Sequence, residues 1–283
     1  MADTGSAPRW SQDAGLSALG LLWGSSFMTA VTERAIRVGS EVQVQRKLAG
    51  GPAIFLSASV PYERQRPPRM TPKEWAPRAR ENKGYLRTAE PARIRAAVVA
   101  MTRAMLMRRM RLVFGAHPAI SPMVLGVAHD IRAPKGSILI YQSEYFRDEL
   151  PDSTLELASW ESGVLVLTPV VARGKKPAHE RRSASLLLMR ELMVAVPNLQ
   201  AAVFVGGMEG VAEEAATFRA RHPGAPSYAV ASTGSSAQEL WRQRSAAFSG
   251  TLVQPSILAE HPSYSIVAHS ILDDMNKVRQ HNA

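Results

Sequence analysis

Residues 201–215 read AAVFVGGMEGVAEEA: an apolar run ends in Gly206 and Gly207, and Glu209, Gly210, Glu213 and Glu214 follow at once. A strand that ends in glycines and restarts as a helix turns backbone N–H groups toward an anion. Glutamates crowding such a loop repel a phosphate, so some of them are candidates for chemistry elsewhere on a ligand; the alternative is that they are favourable first-turn helix charges. Other short polar sets follow apolar runs in the same way: Ser57-Ala58-Ser59, Gly115-Ala116-His117-Pro118, Gln142-Ser143-Glu144 and Ser232-Thr233-Gly234. Backbone and hydroxyl groups of this kind suit a phosphorylated ligand, although Gly and Ser also end strands for turn reasons. His117 is the best-placed histidine; it could meet a base or phosphate, act as an acid, or be a turn residue satisfied by backbone. Ser57 and Ser59 lack a G-x-S-x-G elbow, so phosphate contact is expected of them rather than nucleophilic attack. The other six histidines show no metal-ligand spacing, and neither a metal nor a cofactor is expected.

Elements must bring these sets to one place. Apolar β-rich runs recur at 53–57, 112–115, 138–141, 164–168, 202–205 and 228–231. Between most of them the spacing is helical. Pro91 suits a first helical position, with Ile94, Val98, Met101 and Met105 on one stripe. Further helices are expected over 183–196, 212–222 and 263–280, the last with Ile266, Ile271 and Met275 inward, and the helix after the glycines starting near Val211. Alternating strands and helices predict an α/β fold, a doubly wound and mostly parallel Rossmann-like sheet with helices on both faces. In such sheets ligands bind beyond the carboxyl ends of the strands, where every polar set above falls. The expected organisation is an N-terminal helical extension (1–50), the sheet domain (51–250) and a C-terminal helix packed on it (251–283). A Pro- and Arg-rich loop is expected over 61–83, within a basic insertion at about 61–90.

The chain has 283 residues, 46% hydrophobic and 20% charged, and no cysteine. That is ordinary for a soluble globular protein, excludes disulfides and thiolate sites, and suits a reducing cytoplasm. The formal charge is +10, and residues 61–111 carry all of it: fourteen Arg or Lys against Glu63, Glu74, Glu81 and Glu90. Such a block could face nucleic acid, a polyphosphate or an acidic partner, or be a solvated surface. Few aromatics interleave with it and no nucleic-acid-binding motif accompanies it, so nucleic acid is not the expected partner. Residues 14–32 carry no charge. The acidic residues flanking them make a poor signal peptide, and a packed N-terminal helix is expected there rather than a membrane span.

Residues 182–214, RSASLLLMRELMVAVPNLQAAVFVGGMEGVAEE, resemble the signature of the lonely-guy phosphoribohydrolases. In that family a helix bearing Met-Arg-Lys-x-x-Met leads through a strand into Pro-Gly-Gly-x-Gly-Thr-x-x-Glu. Met189, Arg190, Met193, Gly206, Gly207, Gly210 and Glu214 match. Val205 replaces the proline, Glu209 is an extra residue, Val211 replaces the threonine and Glu191 the lysine. The wider SLOG superfamily also holds the DNA-processing protein DprA and sensors of ADP-ribose-like molecules. FLSASVP, LVFGAHPAI and GGMEGVAEE look most like the SLOG proteins of bacterial antiviral systems. The resemblance, over about 53–250, implies roles for two residues. Glu214 would stabilise positive charge on a ribose or activate water, and Arg190 would anchor phosphate or fix the carboxylate; alternatively the two form a structural ion pair.

The lost threonine and lysine weaken a hydrolase more than a binder. The expected function is therefore binding of a nucleotide-derived signal of ADP-ribose or NAD type. The candidate ligand residues are Ser57, Ser59, Gly115, His117, Gln142, Ser143, Gly206, Gly207, Glu209, Gly210, Thr233 and Gly234. The alternative is hydrolysis of a nucleoside 5′-monophosphate through Arg190 and Glu214, and single-stranded DNA handling is a third reading. A partner effector protein is expected from the resemblance. A two-fold homodimer is expected from Leu16, Leu19, Leu21, Leu22, Trp23, Phe27 and Met28, too apolar a set to leave in water.

Overall fold

The computed structural model of the chain describes residues 18–62, 72–171, 178–243 and 253–281. All six apolar runs form strands: β2 (Ala53–Ser59), β3 (Arg111–Gly115), β4 (Ile138–Ser143), β5 (Gly163–Thr168), β6 (Leu199–Gly206) and β7 (Ser227–Val230). A seventh, β1 (Ile36–Arg37), pairs with β5. The order is β1-β5-β4-β3-β2-β6-β7, and every pairing is parallel. The chain divides into two compact units, Met1–Arg34 and Ala35–Ala283. The second unit thus takes in β1 and α2 (Glu41–Lys47), which the sequence reading gave to the N-terminal extension.

Strand residues sort into two cores by parity, as the pleat requires. Ile54, Leu56, Leu112, Phe114, Val203 and Val205 face one layer, which includes α4 (Pro91–Met107), α5 (Ser121–Asp130) and α11 (Tyr264–His281). Ala53, Phe55, Val113, Leu139, Ala202 and Phe204 face the other, which includes α2, α7 (Ala178–Val194) and α8 (Glu209–Arg221). Burying side chains such as Phe114 on one face and Phe55 and Phe204 on the other contributes about 1.5–3 kcal/mol each, so the sheet centre dominates cohesion.

Three expectations are corrected. The stretch expected as a loop at 61–83 contains most of a helix, α3 (Pro72–Thr88). Its docking is polar as well as apolar: Asn82 and Tyr85 are buried, and the Asn82 amide donates to the Tyr62 carbonyl at 3.0 Å. Ile266 does not face inward. It is 48% exposed and Val267 is buried in its place, while Ile271 and Met275 are buried as expected. The helix after the glycines begins at Glu209 rather than near Val211, which places Glu209 in its first turn.

In the first unit, α1 (Ala18–Glu33) is a helix, and Phe27 is 45% exposed. Leu16 and the side chains of Leu19, Leu21, Leu22 and Trp23 lie outside what is described. No helix among the described residues is long and apolar enough to cross a membrane.

Candidate functional site

Strand order changes direction between β2 and β6: β3, β4 and β5 lie to one side, β7 to the other. At this switch point the strand-end rule puts a ligand crevice, beyond the carboxyl ends where Ser59 pairs with Gly206. Gly206 and Gly207 have φ of 57° and 88°. A Cβ on Gly206 would lie 2.4 Å from Ile94 Cδ1, and one on Gly207 2.2 Å from Val211 Cγ2. Both positions therefore require glycine for conformation and for space. Their own N–H groups are committed within the fold. Gly206 donates to Thr233 Oγ1 at 2.8 Å and Gly207 to the Ser59 carbonyl at 2.9 Å. Donors for an anion would therefore have to come from the first turn of α8, apart from the Val211 amide, which donates to the Met208 carbonyl at 3.0 Å.

The parity that sorts the cores also builds the charged centre. Ser57 continues the Ala53–Phe55 side and so faces the layer of α7 and α8. Its hydroxyl donates to Glu214 Oε2 at 2.5 Å, and Glu214 Oε1 lies 3.7 Å from Arg190 Nε. Arg190 also pairs with Glu213 through Nη1. The Arg190 and Glu214 side chains are only 14% and 16% exposed, whereas Glu213 is 56% exposed. Gly210 is explained here: a Cβ would stand 3.2 Å from Arg190 Nη2, so its absence lets the guanidinium approach the helix. Burial pushes the Glu214 carboxyl above its ordinary range, while Arg190 and the Ser57 hydroxyl pull it back. Arg190 Nε is buried without a hydrogen-bond partner, a donor held in reserve beside two carboxylates.

The structure therefore brings together Ser57, Arg190, Gly210 and Glu214, with Ser59, Gly206, Gly207 and Glu209 on the same rim. Glu213, read from sequence as a first-turn charge, is Arg190's second partner. Nothing in its type or spacing distinguishes it from its neighbour.

The remaining candidates lie along the same edge of the sheet but are held locally. The Thr233 hydroxyl accepts from Gly206 and donates to the Val230 carbonyl, so it pins the glycine turn. A Cβ on Gly234 (φ 74°) would collide with the Thr88 carbonyl of α3 at 1.7 Å. That contact seats α3 against α9 (Ser235–Arg242), whose Ser235 hydroxyl donates to the Tyr85 carbonyl. Gly115 faces Met189 on α7. His117 Nδ1 accepts from the Ala119 amide at 3.1 Å, the turn arrangement, and burial lowers its pKa. Gln142 Oε1 accepts from the Ser143 amide, and Ser143 Oγ caps the following 3-10 turn through the Tyr145 amide. Asn82 was not legible in advance; it is buried, and its amide also reaches Met208 Sδ next to the glycines, at 3.3 Å.

The basic stretch is divided in three dimensions. Arg103 and Arg108 pair with Asp130 and Asp273, and Arg111 donates to the carbonyls of Gly51, Leu48 and Pro197. Lys73, Arg80, Lys83 and Arg87 of α3 remain on the surface. A shallow groove of about 280 Å³ near His129, Arg132, Trp160 and Glu161 lies at the amino ends of β4 and β5, away from this crevice. Among the described residues no group of three or more His, Cys, Asp or Glu is arranged to hold a metal ion.

A family model described as the SLOG cluster3 family matches residues 84–254, more than half of the chain. Neither the curated proteins nor the solved structures contain a match. The chain belongs to the SLOG cluster3 family.

Proposed function

We propose that this SLOG protein binds a nucleotide-derived ligand of ADP-ribose or NAD type in its switch-point crevice, as a cytoplasmic sensor in a bacterial conflict-signalling system with an effector partner. The observation that carries this reading is the buried Ser57–Glu214–Arg190 centre directly behind the Gly206–Gly207 turn. Phosphate approaches the first turn of α8, and Arg190 offers a buried guanidinium that can exchange Glu213 for a ligand oxygen. Glu214, fixed by Ser57, accepts from ribose hydroxyls.

Thermal shift against ADP-ribose, its cyclic isomers, NAD and AMP tests this. At least one is expected to raise Tm in a concentration-dependent way, and Arg190→Gln to remove the shift. No stabilisation by any of them overturns the reading.

One observation favours a second reading, hydrolysis of the N-glycosidic bond of a nucleoside 5′-monophosphate. Burial raises the Glu214 carboxyl toward the range of a useful general acid, and the carboxylate form would stabilise an oxocarbenium-like ribose. Release of free base, abolished in Glu214→Gln, identifies this activity; full turnover in that variant removes it.

A further inference from the structure

We propose that copies of this chain associate head to tail through two oppositely charged faces at different ends of the sheet. This contact is distinct from a two-fold pairing through the N-terminal segment.

The positive face is the outer side of α3. Lys73, Arg80, Lys83 and Arg87 are exposed at spacings of seven, three and four residues, which aligns them along one side of the helix. None of the four has an ion pair or hydrogen bond among the described residues. Glu81 turns to the flank toward α9, where its carboxylate accepts from the Tyr85 hydroxyl.

The negative face is the turn after β4 and the start of α6 (Asp152–Ser159). Asp148, Glu149, Asp152 and Glu156 are exposed within nine residues, also without an ion pair among the described residues. Of the cations in and beside this segment, Arg147 is half-buried within it and Arg182 stands over the Phe146 ring at 5.4 Å.

Lys83 and Arg87, and likewise Asp152 and Glu156, are like charges four residues apart on a helix. Arg87 in the last turn of α3 and Asp152 in the first turn of α6 suit their helix dipoles, which offsets part of that repulsion within the fold. An opposing face on another copy lowers what remains.

The two faces do not compete for the same space. α6 packs on β5, and α3 packs on α9, which lies against β6 and β7. β5 and β7 are five strand spacings apart, about 24 Å. A contact between different faces is heterologous, so each copy keeps one face open for the next. A second copy fits the positive face better than a nucleic-acid strand does. The exposed positions of the stripe, Lys73, Ala76, Arg80, Lys83 and Arg87, offer no ring for base stacking.

Sedimentation velocity of the full chain at 50 and 500 mM NaCl tests the proposal. Association is expected at low salt and its loss at high salt, since the Debye length shrinks below the contact distance. Lys83→Glu/Arg87→Glu and, separately, Asp152→Lys/Glu156→Lys should each abolish the low-salt species, and mixing the two variants should restore it. Unchanged melting curves confirm that the variants fold. Identical sedimentation at both salts, or a low-salt species that survives either double reversal, overturns the proposal. So does loss of single-stranded DNA binding in Lys83→Glu/Arg87→Glu with unchanged sedimentation, which assigns the face to nucleic acid.

Discussion

Arg111 and Arg190 stand at opposite ends of the same strands, and their surroundings differ in kind. At the amino ends Arg111 gives hydrogen bonds to three main-chain carbonyls, each from a segment leading into or near a strand start. Its guanidinium ties Leu48, Gly51 and Pro197 together, and a Cβ on Gly50 would press on it at 2.8 Å. At the carboxyl ends Arg190 faces two carboxylates, its buried Nε standing 3.7 Å from Glu214 Oε1, beyond hydrogen-bond length. The first arginine is saturated by groups that cannot leave. The second is balanced by side chains, one of them exposed, that a ligand can replace. The contrast separates a clamp from a site more clearly than burial does, because both side chains are largely covered.

Four changes would break or sharpen this contrast. The largest effect is expected from Gly207→Ala: a left-handed backbone and a Cβ against Val211 together cost about 2–4 kcal/mol in urea unfolding. Arg111→Ala should follow at about 1.5–3 kcal/mol, with any ligand-induced shift in Tm retained. A loss of that shift as complete as in Arg190→Gln would erase the distinction between the two ends. Ser57→Ala removes the donor to Glu214 Oε2 and should cost about 1 kcal/mol at pH 7, less at pH 4, where the carboxyl is protonated.

The smallest effect is a slope. Burial holds the Glu214 carboxyl above its ordinary value, so the folded chain holds this proton more tightly than the unfolded chain does. Stability from this group is fully present below the ordinary carboxylate range and declines as pH rises from there toward the raised folded value. Denaturation curves from pH 4 to 7 should therefore show the parent chain losing ground to Glu214→Gln. An equal slope in both would place Glu214 in an ordinary solvated environment.

Legibility in the sequence followed the strength of the local constraint. Strands buried on both faces leave continuous apolar runs, so β2 to β7 were visible; β1, only Ile36 and Arg37, leaves no run to see. Helix α3 was read as a loop because its prolines and charges hide a buried side made of Asn82 and Tyr85, which is not an apolar period. In α11 Ile271 and Met275 were legible as inward, but the stripe begins at Val267 and not Ile266, since two adjacent apolar residues both fit the helical period. Gly206 and Gly207 announced themselves because nothing else tolerates their backbone. Glu213 and Asn82 did not, because what they touch, Arg190 and Met208, lies far off in sequence.

The pin at Thr233 has a consequence beyond the crevice. Its neighbour Ser232 accepts a hydrogen bond from the Tyr264 hydroxyl at the start of α11, and the Thr233 carbonyl accepts from the Glu90 amide at the start of α4. Gly206 therefore cannot shift without loosening the joint on which two long helices are mounted. Whatever free energy a bound molecule spends in moving that glycine is felt at the seat of α11, and by reciprocity anything that tightens α11 alters affinity in the crevice by the same factor.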